Sequence, residues 1–558
     1  MRGRHEEVSP QPLAKEPEGH FDAIVVGSGF GGAVMTYRLA EAGMSVCLLE
    51  RGKAYPPGSF PRSPWEMGRN FWDPSEGLHG LFDVWSFRGL GGIVASGLGG
   101  GSLLWSNVVL RKDRSTFVQE EGEYWPLGYE DLVPHYERHE TIMKATPYPF
   151  DQPPYDRTYK TKAMEYASGQ VGLEWFLPPL AVTFDPGDGR PVPGEPIVGE
   201  ENLHGRTRLT CLLCGECNIG CNYGAKNTLD YNYLSLAKLR HGADIRTGCE
   251  VKTFARRDGG YLVNLVDHAD GARARTLTTD RLVLSAGSFG TTYLLLKNRA
   301  SFPDLSDRLG TQFCGNGDLL TLAIKARESG NPRIVDPGYG PVITSTIRVK
   351  DAAEGGPGRG FYIQDGGHPQ TVNWLVEASN QLNVIRKGIR LAIRLVRKWL
   401  RIDRRSDIGR EIAGFFSPAD LSGSSMPLFS MGRDMPDGKM TLTDEGYLDV
   451  DWNKKSSTPF FGELRRTARQ VTDALDAKFL DNPPWHLSRV VTVHPLGGCP
   501  MGVDERRGVV DSYGRVFSYP GLVIADGSIL PGPVGPNPST TIAAVAHRAA
   551  ERLIADAG

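Results

Sequence analysis

Two side chains near the end of the 558-residue chain have the types and surroundings to do proton chemistry. His494, in Val493-His494-Pro495-Leu496-Gly497-Gly498-Cys499, ends an apolar run inside a glycine-rich loop. An imidazole there can take or share a proton near neutral pH. Asn537, in Gly535-Pro536-Asn537-Pro538, immediately precedes a helical stretch. A carboxamide at a helix N-terminus sits in a positive field suited to a developing anion. A lone histidine is more often structural than catalytic, so position has to carry the case. Both residues flank an apolar strand, Gly521 to Ala525, that ends at Asp526. In an open α/β sheet the ligand lies beyond the carboxyl ends of the strands.

The other end of the chain supplies a ligand for that edge. Residues 21–52 read as a strand (Ile24, Val25, Val26), the turn Gly27-x-Gly29-x-x-Gly32, a helix from about Gly31 to Ala42, and a second strand, Val46 to Leu49, closed by Glu50. This is a βαβ unit of the dinucleotide-binding type. Gly27 allows the tight turn, Gly29 the approach of a pyrophosphate, and Gly32 the packing of helix on strand. The helix N-terminus offers unpaired N–H groups to phosphate. Glu50 is placed to accept hydrogen bonds from the adenosine ribose and disfavours a 2′-phosphate, which argues against NADP. The motif alone does not separate FAD from NAD.

A third constellation is Cys211-x2-Cys214-x2-Cys217-x3-Cys221, four of the eight cysteines within one short stretch. The spacing is that of bacterial ferredoxins without the following proline. Three readings stay open: an iron–sulfur cluster giving a reduced dinucleotide cofactor a one-electron exit, small thiols packed in a core, and zinc. Cys47, Cys249, Cys314 and Cys499 read as buried singles.

Several elements must position these groups. Residues 88–107, from Arg88-Gly-Leu-Gly-Gly to Gly97-Leu-Gly-Gly-Gly-Ser-Leu-Leu-Trp-Ser-Asn107, are dense in glycine flanked by apolar residues, which lets backbone lie flat against a planar ligand. A helix is expected at 228–240, strands at Ala243 to Val251, 261–266 and 281–286, and a helix from Thr291 to Lys297. A final helix is expected from about Ser539 to Ala555, with Ser539, Thr540 and Thr541 as caps. Residues 115–204 are polar and proline-rich with few strong periods. Residues 321–485 alternate like antiparallel strands.

The length exceeds one typical core. The expected organisation is a disordered extension over 1–20, a dinucleotide-binding domain (FAD-binding on the resemblance given below) from 21–114, 205–320 and 487–558, and a substrate-binding domain from 115–204 and 321–486. The fold class is α/β: a discontinuous Rossmann-like domain with an α+β substrate domain containing an antiparallel sheet. The composition is 40% hydrophobic and 23% charged with a net charge of −2, so nothing points to nucleic acid. The first twenty residues show no apolar h-region, and no run approaches a membrane span, so the expected location is the cytoplasm. Residues 384–405, VIRKGIRLAIRLVRKWLRIDRR, alternate apolar and basic at helical spacing. They read either as a solvated basic face or as a peripheral contact with anionic lipid.

The chain resembles the glucose–methanol–choline (GMC) flavin oxidoreductase family, in its cholesterol-oxidase-like branch. The resemblance rests on GSGFGG at 27–32, GLGGGSLLWSN at 97–107, CNYGAKNTLDYNYL at 221–234, LSAGSFG at 284–290, HPLGGCPMG at 494–502 and VIADGSILPGPVGPNPSTTIAAVAHRAAERL at 523–553. It implies FAD. Gly27, Gly29, Gly32 and Glu50 carry over to the ADP half, and Val251 to the adenine. Gly100, Gly101, Ser102 and Asn107 carry over to the isoalloxazine, and Asp526 to the ribityl–pyrophosphate. The helix after Pro538 points to flavin N1/C2=O. His494 carries over as the group at the substrate hydroxyl and Asn537 as its partner.

The implied activity is oxidation of a hydrophobic, sterol-like alcohol by hydride transfer to flavin N5, with oxygen or an electron carrier as acceptor. Two alternatives are an FAD/Fe–S dehydrogenase of a polar alcohol or sugar, and a non-catalytic flavin electron-transfer protein. Two departures stand out. Trp105-Ser106-Asn107 replaces the Asn-Gly of many relatives. No family-type catalytic glutamate is placed in 321–420, where Glu377 is a candidate by type alone.

Overall fold

The computed structural model of the protein describes residues 17–120, 123–369 and 423–557. The basic stretch 384–405 and Glu377 lie outside the described residues. Its largest sheet is seeded by the strand His20–Val26, which pairs in parallel with Val46–Glu50 on one side and Arg273–Leu284 on the other. Asp244–Thr247 extends the first edge in parallel. The long strand Arg273–Leu284 divides its far edge between two partners. Residues 273–279 pair antiparallel with Gly260–Asp267, and residues 282–284 pair in parallel with Leu522–Ile524. Cys249–Arg257 completes the sheet.

Because side chains alternate faces along a strand, this sheet feeds two cores. Ile24, Val26, Leu49, Leu282 and Leu284 belong to one. Ala23, Val25, Leu48, Val283 and Val523 belong to the other, with Ala33 and Leu39 of the helix Phe30–Glu41 and Ala543, Ala546 and Ala550 of the helix Ser539–Ala555. A strand buried on both faces has no polar side to show, which is why residues 23–26 read as a continuous apolar run.

The register aligns Val26 with Leu49 and Leu284, and Leu284 with Ile524, so these four strands end together. The loops that follow are drawn tight. Gly27 has φ of 95°, and a Cβ there would stand 2.4 Å from the carbonyl oxygen of Ser285. A Cβ on Gly31 would stand 1.4 Å from that of Ala525. No side chain fits between the first helix and the two neighbouring loops.

A second sheet is antiparallel throughout: Glu174–Phe176, Thr346–Val349, Phe361–Asp365, Met426–Gly432, Leu319–Ile324 and Lys478–Asp481, in that spatial order. Helices Tyr159–Val171 and Thr458–Ala474 join its core through Met164, Ala167, Phe460, Leu464 and Val471, against Ile347, Ile363 and Leu428. A third, small sheet pairs the hairpin Phe82–Phe87 and Leu90–Ala95 with Val490–Thr492, the strand that leads into His494.

Three local expectations are corrected. Ala243 to Val251 is not one strand, because Gly248, at φ of 75°, separates Asp244–Thr247 from Cys249–Arg257. The last helix spans Ser539–Ala555, but its N-cap is Pro538, and Ser539, Thr540 and Thr541 lie within the first turn. Within 115–204, residues Val133–Met143 and Tyr159–Val171 are helices. Their periodicity is masked because they bury polar side chains: His135, His139, Lys160 and Thr161 are all inside. Among the described residues, no helix is long and apolar enough to cross a membrane.

Candidate active site

A cleft of about 1540 Å³ opens where the strand ends of the large sheet meet the antiparallel sheet. Gly27, Gly29, Glu50 and Val251 line one part of it. Gly100, Gly101, Asp526, Asn537, Pro538 and His494 line the rest together with apolar side chains.

The first part fits the ADP half of a dinucleotide. The helix Phe30–Glu41 begins at Gly29 with no side-chain cap, so its first-turn N–H groups are left for a ligand. A Cβ on Gly29 would meet no protein atom within 4 Å, and the same holds for Gly101. These two glycines border open cleft. Glu50 is held by protein donors: Oε2 accepts from the Ser28 N–H (3.1 Å) and hydroxyl (2.5 Å), and Oε1 from the Gly52 N–H (2.8 Å). The glycine loop at 97–101 comes down on the first one, since a Cβ on Gly100 would stand 2.6 Å from the Gly29 Cα. In the cleft walls, Trp105 Nε1 and Ser539 Oγ are buried polar atoms without a protein partner. Such orphans call for a polar ligand. The residues present therefore fit a flavin dinucleotide.

Three expected cofactor residues stand behind the wall and do not line the cleft. Gly32 packs helix on loop, where a Cβ would stand 1.9 Å from the Gly27 carbonyl oxygen. Ser102 donates its hydroxyl to Gly99 O (2.7 Å) and accepts from the Leu229 N–H (3.1 Å), so it shapes the loop from within. Asn107 is fully buried at φ of 68°, and both atoms of its carboxamide lack a protein partner. Asp526 does line the cleft, yet its oxygens are taken by the Gly287 and Ser528 N–H groups and the Thr291 and Ser528 hydroxyls. Burial raises its carboxyl above the ordinary range, against those hydrogen bonds.

The four clustered cysteines come together in the structure. Cys211, Cys214, Cys217 and Cys221 line one small cavity of about 20 Å³ as free thiols. Among the described residues, however, no group of three His, Cys, Asp or Glu side chains is placed to hold a metal ion. Burial pushes the Cys214 thiol up to about 12 and Cys211 well above its ordinary value, both toward neutral SH. In this arrangement the four side chains stand as closely packed thiols. What anchors this segment is Lys226, 1% exposed, whose ammonium donates to Leu103 O (3.0 Å), Trp105 O (2.9 Å) and Cys217 O (2.9 Å). It ties the cysteine loop to the glycine-rich wall of the cleft.

The structure brings His494 and Asn537 into the same cleft and surrounds them with residues that the sequence did not single out. His494 Nδ1 is 2.7 Å from Asp318 Oδ1. Asp318 Oδ2 accepts from the Thr492 hydroxyl (2.9 Å) and from the N–H groups of Val493 (2.8 Å) and His494 (3.1 Å). Asn537 Oδ1 accepts from Gln364 Nε2 (2.9 Å). Asn316, two residues before Asp318, holds the loop that carries Asn537. Its Oδ1 accepts from Val534 N–H (2.9 Å) and Gly535 N–H (3.0 Å), and its Nδ2 donates to Pro536 O (3.0 Å). One short loop, Gly315 to Asp318, therefore grips both candidate catalytic segments. Its signal in the sequence was a Gly-Asn-Gly-Asp string just before an apolar strand.

Comparison with known proteins agrees with this geometry. The family model described as GMC oxidoreductase matches residues 202–303 and 367–546, and that of the NAD(P)-binding Rossmann-like domain matches 25–56. The chain is 31% identical to a cholesterol oxidase of Mycobacterium tuberculosis over 95% of its own length and 90% of the relative's. It is 23% identical to the 2-methyl-1,2-propanediol dehydrogenase of Mycolicibacterium austroafricanum, over 95% of each. The crystal structure of pyridoxine 4-oxidase from Mesorbium loti shares the fold, with a TM-score of 0.57 and 16% identity over 95% of this chain and 98% of the other. A glycine cradle for FAD, an imidazole and carboxamide at one cleft, and these matches together make the chain an FAD-dependent alcohol oxidoreductase that belongs to the GMC family, in its cholesterol-oxidase-like branch.

Proposed function

We propose that the protein oxidises a hydrophobic, sterol-like alcohol to the corresponding carbonyl, with His494 and Asn537 at the substrate hydroxyl. The observation that carries the substrate class is the part of the cleft wall formed by the antiparallel sheet, where Leu320, Phe429 and Met431, with Ile343, line it. A pocket of that chemistry gains about 25 cal/mol for each Å² of apolar substrate surface removed from water. The cholesterol oxidase relative supports the same reading. We also propose that pieces 21–114, 205–320 and 487–558 bind the cofactor while 115–204 and 321–486 bind substrate. In support, the strands of the large sheet fall in the first set, and those of the antiparallel sheet fall almost wholly in the second.

Bound FAD supplies the two-electron acceptor. The chain's own residues handle the proton. An alcohol with a pKa of roughly 16 does not release hydride while its oxygen stays protonated, so a base must share that proton as the C–H bond breaks. His494 Nε2 makes no hydrogen bond to a described residue and is the acceptor. Asn537, whose Oδ1 is occupied by Gln364, has its Nδ2 left to donate to the oxygen as charge builds. The helix that starts at Ser539 adds its positive end. The apolar walls keep water from the reacting carbon.

The test is anaerobic mixing of the yellow holoenzyme with sterols, alkyl alcohols and sugars, watching the flavin bleach. Sterols should bleach it fastest. Bleaching by sugars and not by sterols would reverse the substrate class. An air pulse after reduction distinguishes oxygen from a carrier as acceptor. His494→Ala should slow bleaching by about 10²–10⁴-fold and leave FAD bound.

A further inference from the structure

We propose that Asp318 is a positioning residue that holds His494 in the tautomer with Nδ1 protonated, so that Nε2 faces the cleft as a proton acceptor. The inference rests on His494 being the group at the substrate hydroxyl, and deepens that reading.

The argument is one of hydrogen-bond polarity. A carboxylate only accepts, so the 2.7 Å contact between Asp318 Oδ1 and His494 Nδ1 requires the proton on Nδ1. A neutral imidazole with Nδ1–H has a lone pair on Nε2. Asp318 has no freedom to turn away, because Oδ2 is pinned by three donors: the Thr492 hydroxyl and the N–H groups of Val493 and His494. The side chain is 9% exposed. It stands at the junction between the Gly315–Asp318 loop and the strand Leu319–Ile324, so the antiparallel sheet sets the ring's orientation from behind.

Asn537 is set in the opposite sense. Gln364 donates to its Oδ1, which leaves Nδ2 as a donor. The pair at the cleft is then one acceptor and one donor. A hydroxyl is also one donor and one acceptor, and it fits that pair in a single orientation. Other titratable groups stand close. Asp434 is fully buried behind the same loop, with Oδ2 accepting from the Gly315 N–H (2.9 Å), and Arg359 donates to the Asp434 main-chain carbonyl. Burial lifts the Asp434 carboxyl to about 7, so it is protonated in part near neutral pH.

The substitution that tests this is Asp318→Asn. The three donors now on Oδ2 will claim the asparagine carbonyl, which turns the NH2 group toward His494 Nδ1. The ring must then accept at Nδ1 and carry its proton on Nε2, and the base is lost without a change of volume. Two measurements follow. Nitrogen-15 spectra of histidine-labelled resting holoenzyme, with the His494 signals identified by their absence in His494→Gln, should show Nδ1–H in the parent and Nε2–H in Asp318→Asn. This readout needs no substrate, so its outcome is independent of whether the proposed substrate class is right. In anaerobic stopped flow, Asp318→Asn should reduce its flavin about 10²–10⁴-fold more slowly with substrate Kd changed less than about 3-fold, and should lose the rise of rate with pH that a histidine base imposes. Asp318→Glu, which keeps the acceptor, should recover the pH profile. Nε2–H in the parent overturns the proposal. So does a slower Asp318→Asn with an unchanged pH profile, since that pattern belongs to a merely structural residue. Should Asp318→Asn fail to fold, the parent spectrum alone decides.

Discussion

Replacing Asn316 by alanine should loosen the loop that carries Asn537, and the size of the effect can be worked from its contacts. Asn316 is fully buried and makes three hydrogen bonds to the main chain of residues 534–536, at 2.9, 3.0 and 3.0 Å. Alanine leaves two N–H groups and one carbonyl without partners. Each buried orphan costs about 1–3 kcal/mol, and water entering the vacated space recovers part of that, so the loss is about 4 kcal/mol. Asn316 also has φ of 52°, a left-handed conformation that asparagine tolerates better than alanine. That adds about 1 kcal/mol, which glycine in the same place does not incur. Asn316→Ala should therefore be less stable than the parent by about 5 kcal/mol, with Asn316→Gly about 1 kcal/mol better than alanine. The assay is denaturant unfolding of FAD-saturated protein, followed by flavin fluorescence and far-UV dichroism together. Anaerobic flavin reduction should slow in both variants, because Asn537 is no longer held. An alanine variant within about 1 kcal/mol of the parent, or a glycine variant less stable than alanine, would refute the account of the loop as clamped by this side chain.

Three further outcomes are expected. Gly29→Ala should fold normally and bind FAD poorly, since its Cβ meets only cleft, whereas Gly31→Ala should fail to accumulate, since its Cβ would collide with Ala525 O at 1.4 Å; soluble yield and flavin content separate the two. Lys226→Met should leave the Leu103 and Trp105 carbonyls unpaired, Cys217 O keeping the Gly220 N–H, and lower FAD occupancy, read from the flavin-to-protein absorbance ratio against the parent. Asp434 has a folded-state carboxyl raised to about 7, so the folded protein holds a proton that the unfolded chain releases near 4. Its contribution to stability is present below about 4 and is lost as pH rises to about 7. Asp434→Asn should flatten that part of the stability–pH curve, measured by unfolding midpoints from pH 4 to 8.

The residues proposed to hold the cofactor were legible because their constraint is local. Gly27, Gly29 and Glu50 belong to one unit of about thirty residues, and a glycine required by a tight turn shows in the string itself. The helix Ser539–Ala555 was equally plain from its alanine-rich face. Asp318 and Gln364 were not, for a shared reason. A polar residue in an alternating strand, such as Gln364 in Phe361–Asp365, normally faces water, and only the approach of a loop more than 170 positions away turns it inward. Asp318 meets its histidine across 176 positions. The cysteine spacing left three readings open because a ligand set is a matter of three-dimensional convergence, which spacing alone does not encode.

The strand Leu522–Ile524 completes the large sheet beside residues 282–284, and the helix after it packs on the helix that follows Gly29. Sequence order thus becomes a schedule. While the polypeptide is being made, everything up to residue 521 must wait with that edge unpaired and the flank of the first helix bare. The nucleotide site closes only when this later-made segment threads back. Until then the unpaired edge stays open to wrong partners.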